Sequence, residues 1–431
     1  MPQLIDYLNN IINSEEFRSR NKKNPTDFTR DRALSFQSLI VFLMNMNNKS
    51  YQVELDRFYQ TTTHQEVPER AVYKGNLSKA RAKLNPFAFK ELDDHMVRHF
   101  YDNFQYETWL GYTLLAIDGT TLRVPKTDAI LMHFGAWHPT KSDKPCPKAR
   151  ASQMFDVLNK ITIDAIISPK SEGEIGLAAT HCLKLQPSDL LLLDRGYPAH
   201  WLFKLILSMD AQFCARISYK KWNVVKKFYN SGKNEKIVNL YPTYSSKQKC
   251  SEMGLDTDPV QVRLIRVELD TGETEILVTS LTDMKKYPYD LFMELYHLRW
   301  PIEEDYKAVK YRLQIENFSG KTVHSVYQDF HAKVLSKNLT AIIATTTKKE
   351  IAMKSERCKY IHKVNFAVAI SHMKNTIVLL FKPFRLKPHE IIERIRRIFI
   401  QTTEAVRPNR KFPRRHRVKQ QRFFAEYKTC A

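Results

Sequence analysis

Between Tyr287 and Gly320 the chain reads YPYDLFMELYHLRWPIEEDYKAVKYRLQIENFSG, and no other stretch restricts the fold so tightly. Tyr296, Arg299, Glu303 and Lys310 stand at i, i+3, i+7 and i+14, offsets that bring all four onto one stripe of an α-helix. Leu291, Leu295, Leu298, Ile302 and Val309 form an adjacent apolar stripe able to face a core. One helix thus offers a core face and, beside it, a carboxylate and two cations. A solvated face with i,i+4 ion pairs would read similarly. Tyr296 and Trp300 argue for more, because large aromatics beside charges suit stacking or phosphate contact. Pro301 requires the helix to kink or restart, and such breaks persist where they have a use or where a helix begins.

Two further carboxylates close apolar, strand-like runs: Asp118 in TLLAIDGTTLRVP and Asp194 in DLLLLDRGYP. Each alone is explained by turn chemistry, since Asp118 precedes Gly and Asp194 precedes Arg-Gly-Tyr-Pro. Together, strand, strand and helix supply one acid each, in the order Asp118, Asp194, Glu303. Glu303, Glu304 and Asp305 are consecutive, and only spacing selects Glu303: a shift by one turns the side chain by about 100° around the helix.

Tyr-x2-Arg-x3-Glu-x6-Lys, matched position for position by Tyr296, Arg299, Glu303 and Lys310, resembles the signature of the insertion-sequence-four group of bacterial DDE transposases, which includes the Tn-five and Tn-ten transposases. IDGT around Asp118 and LLLDRGY around Asp194 are similar to that family's first and second acid motifs. The resemblance implies a ribonuclease-H-like fold with its acids clustered at one sheet edge, an all-β insertion within the catalytic domain and a helical N-terminal DNA-binding region. It also implies cleavage of element ends through DNA hairpins without ATP, joining of 3′-OH groups to target DNA, and a homodimer or higher assembly synapsing two ends of double-stranded DNA. A bacterial, cytoplasmic, nucleoid-associated protein follows from the same likeness.

Phosphodiester hydrolysis and transfer need an activated water or 3′-OH and a stabilised leaving oxygen. Two Mg²⁺ or Mn²⁺ ions supply both, and such hard cations take carboxylate oxygens. Asp118, Asp194 and Glu303 are the expected catalytic and metal-binding residues, either aspartate serving as the bridging acid. Arg299 can grip a phosphate bidentately and Lys310 acts as a point charge. Tyr296 can donate to a phosphate oxygen, and Trp300 can stack on a base displaced at a distorted end.

The remaining sequence divides around this core. Residues 1–108 read as helical: a helix capped by Ser35, another over Tyr51–Tyr59, a basic one over Asn76–Leu84, and a fourth opened by Asn85-Pro86. Lys79, Arg81 and Lys83 on the basic helix suit either a helix-turn-helix-like DNA reader or a bundle with a basic face. Residues 109–217 read as strand, hairpin, helix, strand, helix, strand, an α/β or α+β core, with a loop over Asp128–Pro145. Residues 218–273 lose the helical signal and read as β-prone pieces. There Trp222 sits among lysines and can stack on a base or occupy an edge strand. Residues 274–350 carry the signature helix and a second long helix expected to pack against it. Residues 351–431 are helical and end in a basic tail containing Arg414 and Arg415, which tracks phosphates or merely solubilises.

The 431 residues suffice for two or three domains, and their 43% hydrophobic content is that of a globular chain. A net charge of +22 favours a polyanionic partner. No apolar run is long enough to span a bilayer, and MPQLIDYLNN lacks a signal-peptide pattern. The six cysteines include no C-x-x-C pair, which disfavours zinc fingers and fits reduced thiols. Non-joining ribonuclease-H-like nuclease and catalytically idle DNA-binding derivative are the alternative readings.

Overall fold

The computed structural model describes residues 1–30, 32–137, 146–268, 272–382, 385–407 and 428. It comprises a sheet unit, Tyr106–Thr121 with Arg150–Tyr306, and a helical unit, Met1–Gln105 with Leu122–Ala149 and Lys307–Ala431. Arg414 and Arg415 lie outside the described residues.

Among the described residues nine strands make the large sheet: eight longer ones, β1 (Thr113–Arg123), β2 (Cys146–Asp156), β3 (Ile161–Ser168), β4 (Asp189–Leu193), β5 (Gln212–Ile217), β6 (Glu235–Leu240), β7 (Val260–Glu268) and β8 (Thr274–Thr279), and the two-residue Ala136–Trp137, paired with the start of β2. The order of the eight is β3-β2-β1-β4-β5-β8-β7-β6. β1, β4 and β5 run parallel, while β2–β3 and the β5–β8–β7–β6 pairings are antiparallel. This is a mixed sheet of an α/β fold.

Period-two alternation of apolar side chains explains why these segments form central strands. Leu115, Ile117, Leu191, Leu193, Phe213 and Ala215 enter one buried cluster; Leu114, Ala116, Leu190, Leu192 and Cys214 enter another. A strand buried on both faces has no polar side to show, which is what DLLLL encodes. Each buried leucine contributes roughly 2 kcal/mol. Helices Glu174–Cys182 and His200–Ser208 cover the first face through Ala178, Cys182, Leu202 and Phe203. Phe292, Leu295 and Ile302 cover the second.

Several expectations are corrected. β1 continues through Asp118-Gly119 instead of turning there. Gly119 has an extended role: a Cβ at that position would lie 3.5 Å from Cγ of Glu174. The 128–145 segment opens with a helix, Asp128–Phe134, capped by Thr127. Residues 218–273 are not all β: helices Asn223–Asn230 and Tyr244–Glu252 alternate with strands that extend the main sheet. Val225 and Phe228 bury one helical face at i,i+3, a period that overrides the β propensity of the valines.

In the helical unit, Val323–Thr345 is buried on almost every side. Its main neighbours within the unit are helices Phe36–Met44 and Ala88–Asn103 and the C-terminal Phe366–Phe381 and Pro388–Gln401. Because it is enclosed, its polar side chains must find partners inside. Asn338 Nδ2 donates to Asp93, and Lys333 Nζ donates to the Gln314 carbonyl at 2.8 Å. Asp329 pairs with Arg81 at 2.9 Å.

That last pair corrects the assignment of Arg81 to DNA. Arg81 is 4% exposed, and its guanidinium also donates to Gln328 Oε1 and Ser319 Oγ. The helix ends at Arg81, which turns inward, whereas Lys79 is exposed and Lys83 lies in the turn beyond the helix. Removing one member of a buried pair strands the other charge. Arg81→Met should lower unfolding free energy by about 3–5 kcal/mol, whereas Lys79→Ala should stay within about 0.5 kcal/mol. Urea unfolding checks both; equal small losses would contradict the assignment.

Candidate active site

The site begins in the sheet register. β1 and β4 pair from Thr113↔Asp189 to Ile117↔Leu193. One step further, where the β1–β4 pairing stops, come Asp118, inside β1, and Asp194, just past the end of β4. β4 and β5 pair up to Leu193↔Ala215, which sets Arg216 beside Asp194 in the same row.

The third acid arrives on a restarted helix. Leu291–His297 ends before Pro301, and Pro301–Tyr311 begins with the proline at its first position, where a missing N–H is harmless. Between them, hydrogen bonds run three residues back: Arg299 N–H to Tyr296 O, Trp300 N–H to His297 O, Glu303 N–H to Trp300 O. The tight turn preserves the stripe across the break. Arg299 Nη2 donates to Glu303 Oε1 at 2.8 Å, and the Arg299 guanidinium carbon lies 5.9 Å from the ring centroids of both Tyr296 and Trp300. Asp305 turns inward to accept a hydrogen bond from Gln153 Nε2 at 3.0 Å, while Glu304 is exposed. The three consecutive acids thus face three environments.

Electrostatics connect the acids. Burial pushes the Asp118 carboxyl up to about 6, and the charges of Glu303 and Asp194 add to the rise, against the Gly119 N–H and Arg299. Asp194 goes the other way: burial would raise it, but the Arg195 N–H, Arg216 and Arg299 hold it below the ordinary carboxylate value. Its Oδ1 accepts from Arg195 N at 2.7 Å, from Arg216 Nη2 at 2.8 Å and, distantly, from the Tyr296 hydroxyl at 3.5 Å. Arg216 also pairs with Glu275. Sequence reasoning missed Arg216. Its signal was present: an arginine inside the apolar strand QFCARI needs an acidic partner.

Of the remaining expected contacts, Trp300 is 44% exposed and Tyr296 is buried. Lys310 follows Glu303 by two turns of the same helix and is half-buried. Lys79 is exposed, and Lys83 pairs with Asp27 at 2.8 Å. Within the helical unit they line a cleft of about 960 Å³ together with Arg18, Arg30 and Arg32. Trp222 is corrected: it packs on the sheet core beside Phe203, with its indole N–H buried, so its face is not offered to a base.

Carboxylate oxygens are the donor type that hard divalent cations take. Asp118 Oδ1 accepts the Gly119 N–H at 2.8 Å, and among the described residues no donor reaches its other oxygen. A partly buried carboxylate facing two more acids lacks positive charge, which fits a divalent ion. Among the described residues no three His, Cys, Asp or Glu side chains stand close enough together to hold a metal ion as placed. Arg216 and Arg299 instead hold Asp194 and Glu303.

Sheet, acids and arginines together give an α/β fold that carries a cluster of carboxylates and arginines at one place. The transposase DDE domain family matches residues 109–339. The chain belongs to that family. It is 24% identical over 263 residues to transposase InsG for insertion sequence element IS4 of Escherichia coli (strain K12), covering 61% of this chain and 59% of that relative. The match thus spans less than two thirds of the relative's length. A cryo-EM structure of the piggyBac transposase synaptic complex with hairpin DNA aligns with 92% of this chain and 85% of that chain, at 10% identity and a TM-score of 0.45.

The raised Asp118 carboxyl predicts a stability effect. Its folded-state value lies above the ordinary 3.8. Ionisation therefore costs stability above about pH 6, and the cost disappears as pH falls toward 4. Without divalent metal, Asp118→Asn should be more stable than wild type by about 1–2 kcal/mol near pH 8. The difference should close in acid. Thermal melts across pH test this, and a variant less stable at pH 8 would contradict it.

Proposed function

We propose that the chain is a metal-dependent DNA transposase that cleaves the ends of an insertion sequence and joins their 3′-OH groups to target DNA, with hairpin ends as intermediates. The observation that supports this reading is that Asp118, Asp194 and Glu303 all lie within electrostatic reach of Arg299, in a chain of the DDE domain family.

Asp118, Asp194 and Glu303 would hold the metal. Two Mg²⁺ or Mn²⁺ ions, when bound, activate the attacking oxygen and stabilise the leaving one. Arg216 helps keep Asp194 ionised, and Arg299 aims the Glu303 carboxylate before metal arrives. Arg299, fixed between Tyr296 and Trp300, presents a planar cation whose fork matches a phosphate. The exposed Trp300 ring is placed to stack on a displaced base. Lys310 adds positive charge along the same helix. Double-stranded DNA is the proposed partner, with the basic cleft around Lys79 and Lys83 as a phosphate-binding surface. Synapsis of two ends assigns a homodimer. No helix among the described residues is long and apolar enough to cross a membrane, which accords with action on bacterial cytoplasmic DNA.

The test is cleavage of labelled DNA carrying the gene's own flanks, in Mg²⁺ and then Mn²⁺. Wild type should cut at the repeat ends and yield hairpins on denaturing gels. Losing a metal ligand forfeits several kcal/mol of charge stabilisation, so Glu303→Gln should lose on the order of a thousandfold in rate. Glu304→Gln should retain activity within a few-fold. Equal cutting by wild type and Glu303→Gln would overturn the assignment. Cleavage without joining of a pre-cut end would reduce the function to that of a nuclease.

A further inference from the structure

The two residues that follow Glu303 and Glu304 on the helix are committed to the strands. Tyr306 directs its hydroxyl to the main-chain carbonyl of Asp118 at 2.7 Å. Asp305, its neighbour, accepts from Gln153 of β2 at 3.0 Å. Asp118 lies beyond the last β1–β4 pair, Ile117↔Leu193. On that side no β4 residue is paired with it, so Tyr306 supplies a donor where that pairing stops.

A second donor approaches the same carbonyl. Ser152 Oγ lies 3.5 Å from Asp118 O but 3.0 Å from His181 Nε2, and His181 Nδ1 lies 2.7 Å from Asp164. The serine has one proton, and the shorter contact favours the imidazole. Tyr306 is therefore the stronger of the two side-chain donors to the Asp118 carbonyl. One turn of helix separates Tyr306 from Glu303, so both project from nearly the same side. Fixing the Tyr306 hydroxyl on Asp118 O fixes how far the Glu303 carboxylate stands from the Asp118 carboxylate.

We propose that Tyr306 is a positioning residue that sets the spacing of Asp118 and Glu303 for divalent-metal binding, with the Asp305–Gln153 bond as a second tie. The inference rests on the assignment of Asp118 and Glu303 as metal ligands. Outer partners that orient metal ligands act through affinity for the ion, so the readout is Mn²⁺ binding to the full-length chain by electron paramagnetic resonance, without DNA or turnover.

Tyr306→Phe removes one oxygen and keeps the ring. It should weaken Mn²⁺ binding by roughly tenfold, with end cleavage recovering as Mn²⁺ is raised. Tyr289→Phe is the matched control, because Tyr289 donates to the Arg266 carbonyl at 2.6 Å away from the acids. It should lower the melting temperature comparably and leave Mn²⁺ affinity unchanged. Gln153→Met, which cuts the second tie from the strand, should also weaken Mn²⁺ binding and keeps the proposal testable should Tyr306→Phe fail to fold. Wild-type Mn²⁺ affinity in the folded Tyr306→Phe or Gln153→Met protein, or an equal loss in Tyr289→Phe, would overturn the proposal. Asp118→Asn separates the two levels. If Asp118→Asn loses Mn²⁺ while Tyr306→Phe does not, only the positioning role falls; if Asp118→Asn binds Mn²⁺ like wild type, the metal-site assignment falls and this inference with it.

Discussion

Three acids gathered at one place repel each other, and the molecule is built to tolerate that. Burial and the neighbouring charges of Glu303 and Asp194 hold Asp118 near 6. Two arginines offset the repulsion. Arg216 reaches Asp194 from the next parallel strand, and Arg299 reaches Glu303 from one turn back on the helix. Neither cation is solvent-held: Arg299 is 4% exposed and flanked by aromatic rings. Their charge therefore acts in a low-dielectric setting, where it is worth more than in water. The result leaves Asp118 as the carboxylate least compensated by protein and most in need of a cation.

The backbone makes this possible in two ways. Parallel pairing brings Asp118, Asp194 and Arg216 toward one row because each follows the last pair that β4 makes with β1 and with β5. The helix that supplies Glu303 is interrupted, yet three-residue turns through Trp300 keep Arg299 and Glu303 in register. Phe292, Leu295 and Ile302 bury both sides of the break against one sheet face. The proline thus costs little, because its position is a helix start.

Much of this was legible in the sequence. The spacing of Arg299 and Glu303, the placement of Asp118 on a strand and of Asp194 just past one, and the restart at Pro301 all follow from periodicity and from proline chemistry. What sequence could not resolve was the interior fate of polar residues. Arg81 reads as one of three basic residues on a helix, and only its i+2 offset from Lys79 and Lys83 separates it from them; it is committed to Asp329. Trp222 reads as an aromatic among lysines but is held by Phe203 and the sheet core. The helix Tyr244–Glu252 buries only Ser246 and Cys250, too sparse an apolar pattern to reveal its period. Its sole local signal is Thr243, which caps Ser246 N. Arg216 was missed because a strand was judged by its apolar residues and not by its one expensive exception.

The central claim is that Asp118, Asp194 and Glu303, remote in sequence, hold metal together. Affinity cleavage tests it directly: Fe²⁺ replaces the native ion, and ascorbate with peroxide generates radicals that cut the polypeptide beside the bound iron. The account predicts cuts clustered near residues 118, 194 and 303, competed away by Mn²⁺ and lost in Asp118→Asn. Cuts at unrelated positions, or an unchanged pattern in Asp118→Asn, would contradict it.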